Sequence, residues 1–200
     1  MLRKTAVLAL VLIAGFGLLM LAGRKATFVV ETSGGVGRSV PLVWQTLTEV
    51  ETWPKWWPGV RRAALPFGWR KGAALDLILA GNPDREPARV VAVVPGWELS
   101  WARPGALASQ TRTTLRLESA RGGSRVTVAS FIVGPQAFLA RFTGRDAFVR
   151  YHRSIILHLK NFLEKSAPGR ATGPLSPNPT QRAEPANDIR KIENRQNSGS

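Results

Sequence analysis

The side chains best suited to chemistry are neighbours in the last strongly helical part of the chain. Residues 145–165 carry apolar side chains at helical spacing, and within that apolar stripe only His152 and Tyr151 are ionisable. A histidine in this position can hydrogen-bond a carbonyl or hydroxyl group of a bound molecule, or move a proton near neutral pH. The alternative, which the sequence favours, is a purely structural role, in which His152 is a core residue whose hydrogen bonds are satisfied within the fold.

Other familiar catalytic and metal-binding arrangements find little support. The chain has no cysteine, which excludes disulfides, thiolate zinc sites and cysteine nucleophiles. Its two histidines, His152 and His158, do not have the i, i+4 spacing of a helical metal site. No G-x-S-x-G motif marks a serine nucleophile. We therefore expect no metal and no cofactor, and an enzymatic site, if there is one, would use His152 and Tyr151.

The charge of the chain restricts its partners. Lysine and arginine number 28 against 13 acidic residues, which gives a formal net charge of +15. The excess is spread along the chain and forms no basic block. Dispersed positive charge attracts anionic surfaces in general, whereas nucleic-acid recognition favours a clustered basic patch. We expect no nucleic-acid partner.

An uncharged apolar run, residues 5–23, lies near the amino terminus between two pairs of basic residues. Roughly 19 helical residues span close to the hydrocarbon core of a bilayer. The run therefore predicts a single-pass transmembrane anchor within residues 1–25. The alternative is a cleaved signal sequence, but such sequences have shorter apolar regions and small residues before the cut. Flanking charges are nearly balanced, and we expect the following domain on the extracytoplasmic, periplasmic side.

Helical and strand-like patterns divide the middle of the chain. Residues 26–31 predict a strand, and the glycine-rich residues 33–39 predict a mobile turn. Residues 43–60, VWQTLTEVETWPKWWPGV, predict a short helix broken before Pro54 and a second turn ended by Pro58. From residue 72 onward the period becomes two, which predicts antiparallel strands with one buried face and one wet face. Five such segments follow: residues 73–80, 88–94, 97–102, 112–119 and 123–134.

The carboxy-terminal part completes the expected domain. Residues 136–144 predict a helical turn or a lid, and residues 145–165 predict a long helix whose apolar stripe packs on the buried face of the sheet. Residues 166–200 are rich in proline, glycine and polar side chains, which predicts a disordered tail. We expect one folded domain over residues 26–165.

The order of these elements, together with particular residues, resembles the polyketide cyclase/START-like superfamily, whose helix-grip fold is typified by the birch pollen allergen. The residues that carry the resemblance are Val43, Trp44, Leu47, Glu49, Trp53, Pro54, Trp56, Gly72, Leu75 and Leu77, together with residues 58–60, 91–101 and 122–127. The resemblance covers roughly residues 26–165 and contains packing positions without a catalytic signature. It implies an α+β fold in which a curved antiparallel sheet wraps around the long carboxy-terminal helix, with two short helices after the first strand.

The resemblance also implies a cavity between the long helix and the sheet that holds a lipid, polyketide, steroid or other apolar ligand. Aromatic and apolar side chains line such cavities, although each can instead fill the core. The candidate ligand-binding residues are Trp53, Trp56, Trp57, Trp69, Leu77, Leu79, Trp101, Leu115, Phe131, Phe148, Tyr151, His152 and Ile155.

Three functions remain open on the sequence. The first is membrane-tethered binding or transfer of a small hydrophobic ligand. The second is a polyketide cyclase or dehydratase-like enzyme that uses the same cavity. The third is an accessory protein whose pocket has collapsed.

Overall fold

The computed structural model describes residues 2–81, 86–105 and 108–166. Beyond Ser166, the predicted disordered tail lies outside these residues. Five helices and seven strands follow in the order α1 (Leu2–Gly23), β1 (Thr27–Val36), α2 (Val40–Thr48), α3 (Trp53–Trp56), β2 (Val60–Ala64), β3 (Ala74–Leu79), β4 (Ala88–Val94), β5 (Glu98–Pro104), β6 (Gln110–Ala120), β7 (Gly123–Val133), α4 (Pro135–Thr143) and α5 (Arg145–Lys165). A 3-10 turn, Val50–Thr52, separates α2 from α3.

The seven strands form one strongly curled antiparallel sheet in the order β1-β7-β6-β5-β4-β3-β2. Successive strands from β2 to β7 are antiparallel neighbours in the sheet, and β1 pairs with β7. The predicted α+β class and the curved antiparallel sheet are confirmed. Because side chains alternate between the two faces of a strand, the register decides which residues share the concave face.

Helix α5 packs along the concave side of the sheet. Its buried side chains are His152, Ile155, Ile156, Leu159 and Leu163. Most of them belong to the apolar stripe that the helical period predicts. Among the strands, β1 packs most extensively against α5. The predicted grip of the sheet on the long carboxy-terminal helix is confirmed.

The two short helices after β1 are also confirmed. Helix α2 buries Val43 and Leu47, and α3 buries Trp53 and Trp56. Pro54 lies in the first turn of α3, where a missing backbone N–H is harmless. The Nε1–H of Trp53 donates to the carbonyl oxygen of Leu47 over 3.1 Å, which joins the two helices.

Two local sequence predictions were wrong. The glycines predicted as a mobile turn continue β1 as far as Val36, because backbone pairing with β7 extends to the Val36–Ser124 pair. The sequence patterns assigned no strand to the residues that follow Val60, but two of them, Arg61 and Arg62, belong to the edge strand β2. Both are exposed, and Arg62 forms an ion pair with Asp76 on β3 over 3.4 Å.

The amino-terminal apolar run folds as helix α1, as its pattern predicts. Over the part of the chain that the structure describes, however, no helix is both long enough and apolar enough to cross a membrane. The transmembrane part of the prediction is therefore not supported.

A pair of neighbouring glycines on β1 tests how closely α5 approaches the sheet. A methyl group added to Gly34 would lie 2.7 Å from Cγ2 of Ile156, whereas one added to Gly35 meets nothing within 4 Å. We expect Gly34→Ala to lower the free energy of unfolding by about 1–3 kcal/mol through overpacking. Gly35→Ala should change it by less than about 0.5 kcal/mol. Urea unfolding of both variants checks the packing, and equal stabilities would contradict it.

Candidate functional site

A cavity of about 300 Å³ lies between α5 and the concave face of the sheet. Its wall is formed by strands β3, β5, β6 and β7, by helices α4 and α5, and by the residue after α3. Its lining consists of Trp57, Leu77, Leu79, Trp101, Arg103, Pro104, Gly105, Thr111, Thr113, Val128, Ser130, Ile132, Gln136, Phe148, Tyr151, His152 and Ile155.

The apolar part of the wall is built around two tryptophan rings. The ring centroids of Trp57 and Trp101 are 5.8 Å apart, and both residues are buried. Trp101 is held by its inward position on β5, while Trp57 follows α3 directly. Leu77, Val128 and Ile155 add aliphatic surface. This part of the cavity suits flat or aliphatic apolar groups, because the transfer of apolar surface out of water is favourable in free energy.

The polar part of the wall follows from the register of three strands. Trp101 on β5 lies opposite Thr113 on β6, and Thr113 lies opposite Ser130 on β7. Two residues further along β5, on the same face of the sheet, Arg103 lies opposite Thr111. The pleat therefore brings hydroxyl groups from two adjacent strands to one patch of the cavity.

Arg103 is a buried cation beside this patch. It is 8% exposed, and its Nη2 donates to the carbonyl oxygen of Leu77 over 2.9 Å. A buried guanidinium needs hydrogen-bond acceptors, because an unpaired buried charge is strongly unfavourable. Arg103 thus ties β5 to β3 at the wall of the cavity.

His152 and Ser130 form a buried polar pair. Ser130 Oγ and His152 Nε2 are 2.9 Å apart, and His152 is 1% exposed. Burial lowers the pKa of His152 to about 4, so the imidazole is neutral at pH 7. Its Nδ1 is buried and has no hydrogen-bond partner among the described residues. The pair is therefore a polar contact with one unused nitrogen.

Tyr151 lies at the rim of the cavity and joins α5 to the tryptophan-rich segment. Its hydroxyl accepts a hydrogen bond from Nε1–H of Trp57 over 3.0 Å and donates to the carbonyl oxygen of Pro58 over 3.4 Å. Burial raises the pKa of Tyr151, against the opposing effects of the Trp57 hydrogen bond and the charge of Arg103. The phenol is therefore protonated at neutral pH, and its hydrogen bonds serve to hold Trp57 in the wall.

The structure brings most of the sequence-predicted site residues together and separates the others. Those that line the cavity are Trp57, Leu77, Leu79, Trp101, Phe148, Tyr151, His152 and Ile155. Trp53, Trp56 and Leu115 are buried in the main core, and Trp69 is half-buried against it. Phe131 is 38% exposed and lies on the opposite face of β7 from Ser130.

Sequence reasoning missed the polar lining residues, above all Arg103, Thr113 and Ser130. The signal was present in the alternation of each strand, because Thr113 shares its face with Leu115 and Ser130 shares its face with Val128. If the alternation of buried and exposed residues is continued to the end of each strand, it places these three residues on the buried face. Gln136, which the first turn of α4 brings to the cavity, has no such periodic signal.

The lining offers no evident metal site. Within the described ranges, no group of three or more His, Cys, Asp or Glu side chains is placed to hold a metal ion. The chemistry that this lining supports is hydrogen bonding from hydroxyl and imidazole groups and from the guanidinium group of Arg103, beside apolar rings.

Comparison with known proteins identifies the fold. No family model matches the chain, and no curated protein matches it. Among solved structures, a protein from Nitrosomonas europaea has 20% identity and a TM-score of 0.55, with 69% of this chain and 95% of that chain covered. The di-domain ARO/CYC protein StfQ of the steffimycin biosynthetic pathway has 14% identity and a TM-score of 0.56, with 72% of this chain and 53% of that chain covered.

A third similar structure is Ara h 8.0201, with 10% identity, a TM-score of 0.52, and 70% of this chain and 99% of that chain covered. Identities this low establish the fold alone. These similarities confirm the helix-grip fold that the resemblance to the polyketide cyclase/START-like superfamily implies.

The buried His152 predicts a specific loss of stability in acid. The unfolded chain, with a histidine pKa of about 6.5, binds a proton that the folded protein accepts only near pH 4. The contribution of His152 to stability is therefore present above pH 6.5 and is lost as the pH falls towards 4. We expect His152→Gln to reduce the acid-induced fall in the free energy of unfolding by an amount on the order of 2 kcal/mol.

The control for this measurement is His158→Gln, because His158 is on the exposed side of α5. Thermal unfolding between pH 7 and pH 4.5 should show the wild-type fall in this variant and a smaller fall in His152→Gln. Parallel curves for all three proteins would contradict a buried neutral His152.

Proposed function

We propose that the domain binds a small, largely apolar ligand in the cavity between α5 and the sheet. The observation that carries the proposal is the cavity itself, about 300 Å³ in volume and walled by Trp57 and Trp101. Protein cores are normally packed with few voids larger than a water molecule. A space of this size with an aromatic wall and a few polar groups is typical of a ligand site.

The size of the cavity bears on two alternatives. A collapsed pocket, as in a purely accessory protein, would leave no space of this kind. At the same time, about 300 Å³ is at the lower end of the range for small-molecule sites. The ligand that suits it is therefore compact, and a long-chain lipid would need the rim to open.

An enzyme that uses the same cavity is the second candidate function. The contact between Ser130 and His152 favours it, because a hydroxyl within hydrogen-bond reach of an imidazole is a common catalytic pair. One protein of similar fold, StfQ, is an ARO/CYC protein of the steffimycin biosynthetic pathway, and a place in a biosynthetic pathway agrees with an enzyme. Against it, burial holds the pKa of His152 at about 4, which makes the imidazole a weak base at pH 7. Binding, and with it ligand transfer, is the better supported function.

The membrane tether and the extracytoplasmic location are separate proposals. Their basis is the uncharged run of residues 5–23 and the exposure of large apolar side chains along α1, such as Leu10 and Ile13. Amino-terminal sequencing of the protein from its native cell, together with carbonate extraction of the membrane fraction, tests the tether, and protease accessibility in intact spheroplasts tests the location. A protein found wholly in the carbonate-soluble fraction with its first residues intact would exclude a tether.

Filling the cavity should weaken ligand binding. The test uses N-phenyl-1-naphthylamine, an uncharged apolar dye whose fluorescence rises when it leaves water. Leu79 is a half-buried cavity residue, so Leu79→Trp adds an indole ring to the space. We expect this variant to weaken dye binding by at least about tenfold, which corresponds to a loss of about 1.4 kcal/mol.

The matched control is Leu157→Trp, which adds the same ring to an exposed position of α5. It should bind the dye as the wild type does. Equal binding by the two variants, or a wild type that binds no dye, would contradict the proposed cavity site.

A further inference from the structure

The hydroxyl groups in the cavity wall indicate which substituent the ligand carries. We propose that Thr113 and Ser130, with Ser130 positioned by His152, recognise a hydroxyl group on the ligand. The ligand class is then a compact apolar ring system that bears a hydroxyl substituent, such as a phenol. This inference rests on the proposed function and adds the hydrogen bonds by which the protein recognises the ligand.

The two hydroxyl groups lie on the same face of adjacent strands. Thr113 and Ser130 are directly opposite each other in the β6–β7 register, and both line the cavity. Directly opposed residues of an antiparallel pair have Cβ atoms about 4.5–5.5 Å apart. A single oxygen atom placed above the pair is therefore within hydrogen-bond reach of both side chains.

The unused hydrogen-bonding capacity of this pair fits a hydroxyl group. A serine or threonine hydroxyl has one proton to donate and two lone pairs to accept with. Ser130 uses one of these in its contact with His152, and Thr113 makes no side-chain hydrogen bond to the described residues. The pair can thus offer a donor and an acceptor together. A ligand hydroxyl both donates and accepts, whereas an ether or a methyl group does not.

The state of His152 makes Ser130 an adaptable partner. The neutral imidazole carries one proton, so either Nε2–H donates to Ser130 Oγ or the serine donates to Nε2. In the first case the Ser130 hydroxyl can donate a hydrogen bond to the ligand. In the second case its lone pairs can accept a hydrogen bond from the ligand hydroxyl. Because Nδ1 of His152 has no partner among the described residues, the pair is not the fully satisfied polar network of a purely structural core.

The aromatic wall fixes the orientation of such a ligand. Trp101 lies opposite Thr113 on the next strand, and the Trp57 ring is 5.8 Å from the Trp101 ring. A ligand ring that packs against these tryptophans has its edge directed along the row from Trp101 to Thr113 and Ser130. The hydroxyl therefore meets the polar pair when the ring meets the aromatic wall.

The test compares two probes of the same shape, 2-naphthol and 2-methylnaphthalene, whose hydroxyl and methyl groups are similar in size. The measured quantity is the ratio of the dissociation constant of 2-methylnaphthalene to that of 2-naphthol. In Thr113→Val and in Ser130→Ala, we expect this ratio to fall about fivefold, as loss of one hydrogen bond predicts. The affinity for 2-methylnaphthalene should stay within about twofold of the wild type.

Thr127→Val is the control, because Thr127 lies on the opposite face of β7 and hydrogen-bonds Ser33. It should keep the wild-type ratio. Thr113→Val preserves side-chain shape, so it serves if Ser130→Ala, which leaves His152 Nε2 without its partner, folds poorly. If the wild type binds both probes and neither folded variant changes the ratio, the hydroxyl recognition is wrong while the binding function stands. If the wild type binds neither probe, the proposed function itself fails.

Discussion

Trp53 packs against four other tryptophan rings, and the shape of the ligand cavity depends on that packing. Its ring centroid lies 6.4 Å from Trp56, 4.8 Å from Trp57, 6.1 Å from Trp69 and 5.3 Å from Trp101. Since Trp53 is fully buried, the short helices are fixed to the middle of the sheet at this point. Trp57 and Trp101 are thereby held at the edge of the cluster, with surface left over for the cavity.

The cavity combines this rigid aromatic wall with a polar patch that lowers the stability of the empty protein. A buried nitrogen such as Nδ1 of His152 without a partner is unfavourable by about 1–3 kcal/mol. Dense packing elsewhere offsets it, including the close approach of Ile156 on α5 to Gly34 on β1. Sites that depart from the packing rules in this way are where function is expected.

Much of the fold follows from periodicity in the sequence. The helical spacing of apolar residues predicts α5 over the range that the structure shows, and strand-like segments bounded by turn residues predict β3 to β7. The edge strand β2 was missed because its exposed arginines conceal the alternation, and the glycines of β1 were misread because strand pairing overrides local propensity. For the site, the sequence cannot separate Trp53, a core residue, from Trp57, a cavity residue. They are one helical turn apart, and only the packed tertiary structure decides which ring faces a void.

The most direct test of the account follows the indole N–H signals of the seven tryptophans by nuclear magnetic resonance while naphthalene is added to the full-length protein. If naphthalene enters the cavity, the signals of Trp57 and Trp101 shift most, because their rings line it. The signal of Trp97, which is 44% exposed and lies outside the cavity lining, should stay nearly unchanged. Shifts confined to Trp97, or no saturable shift of Trp57 and Trp101, would contradict a ligand site between α5 and the sheet.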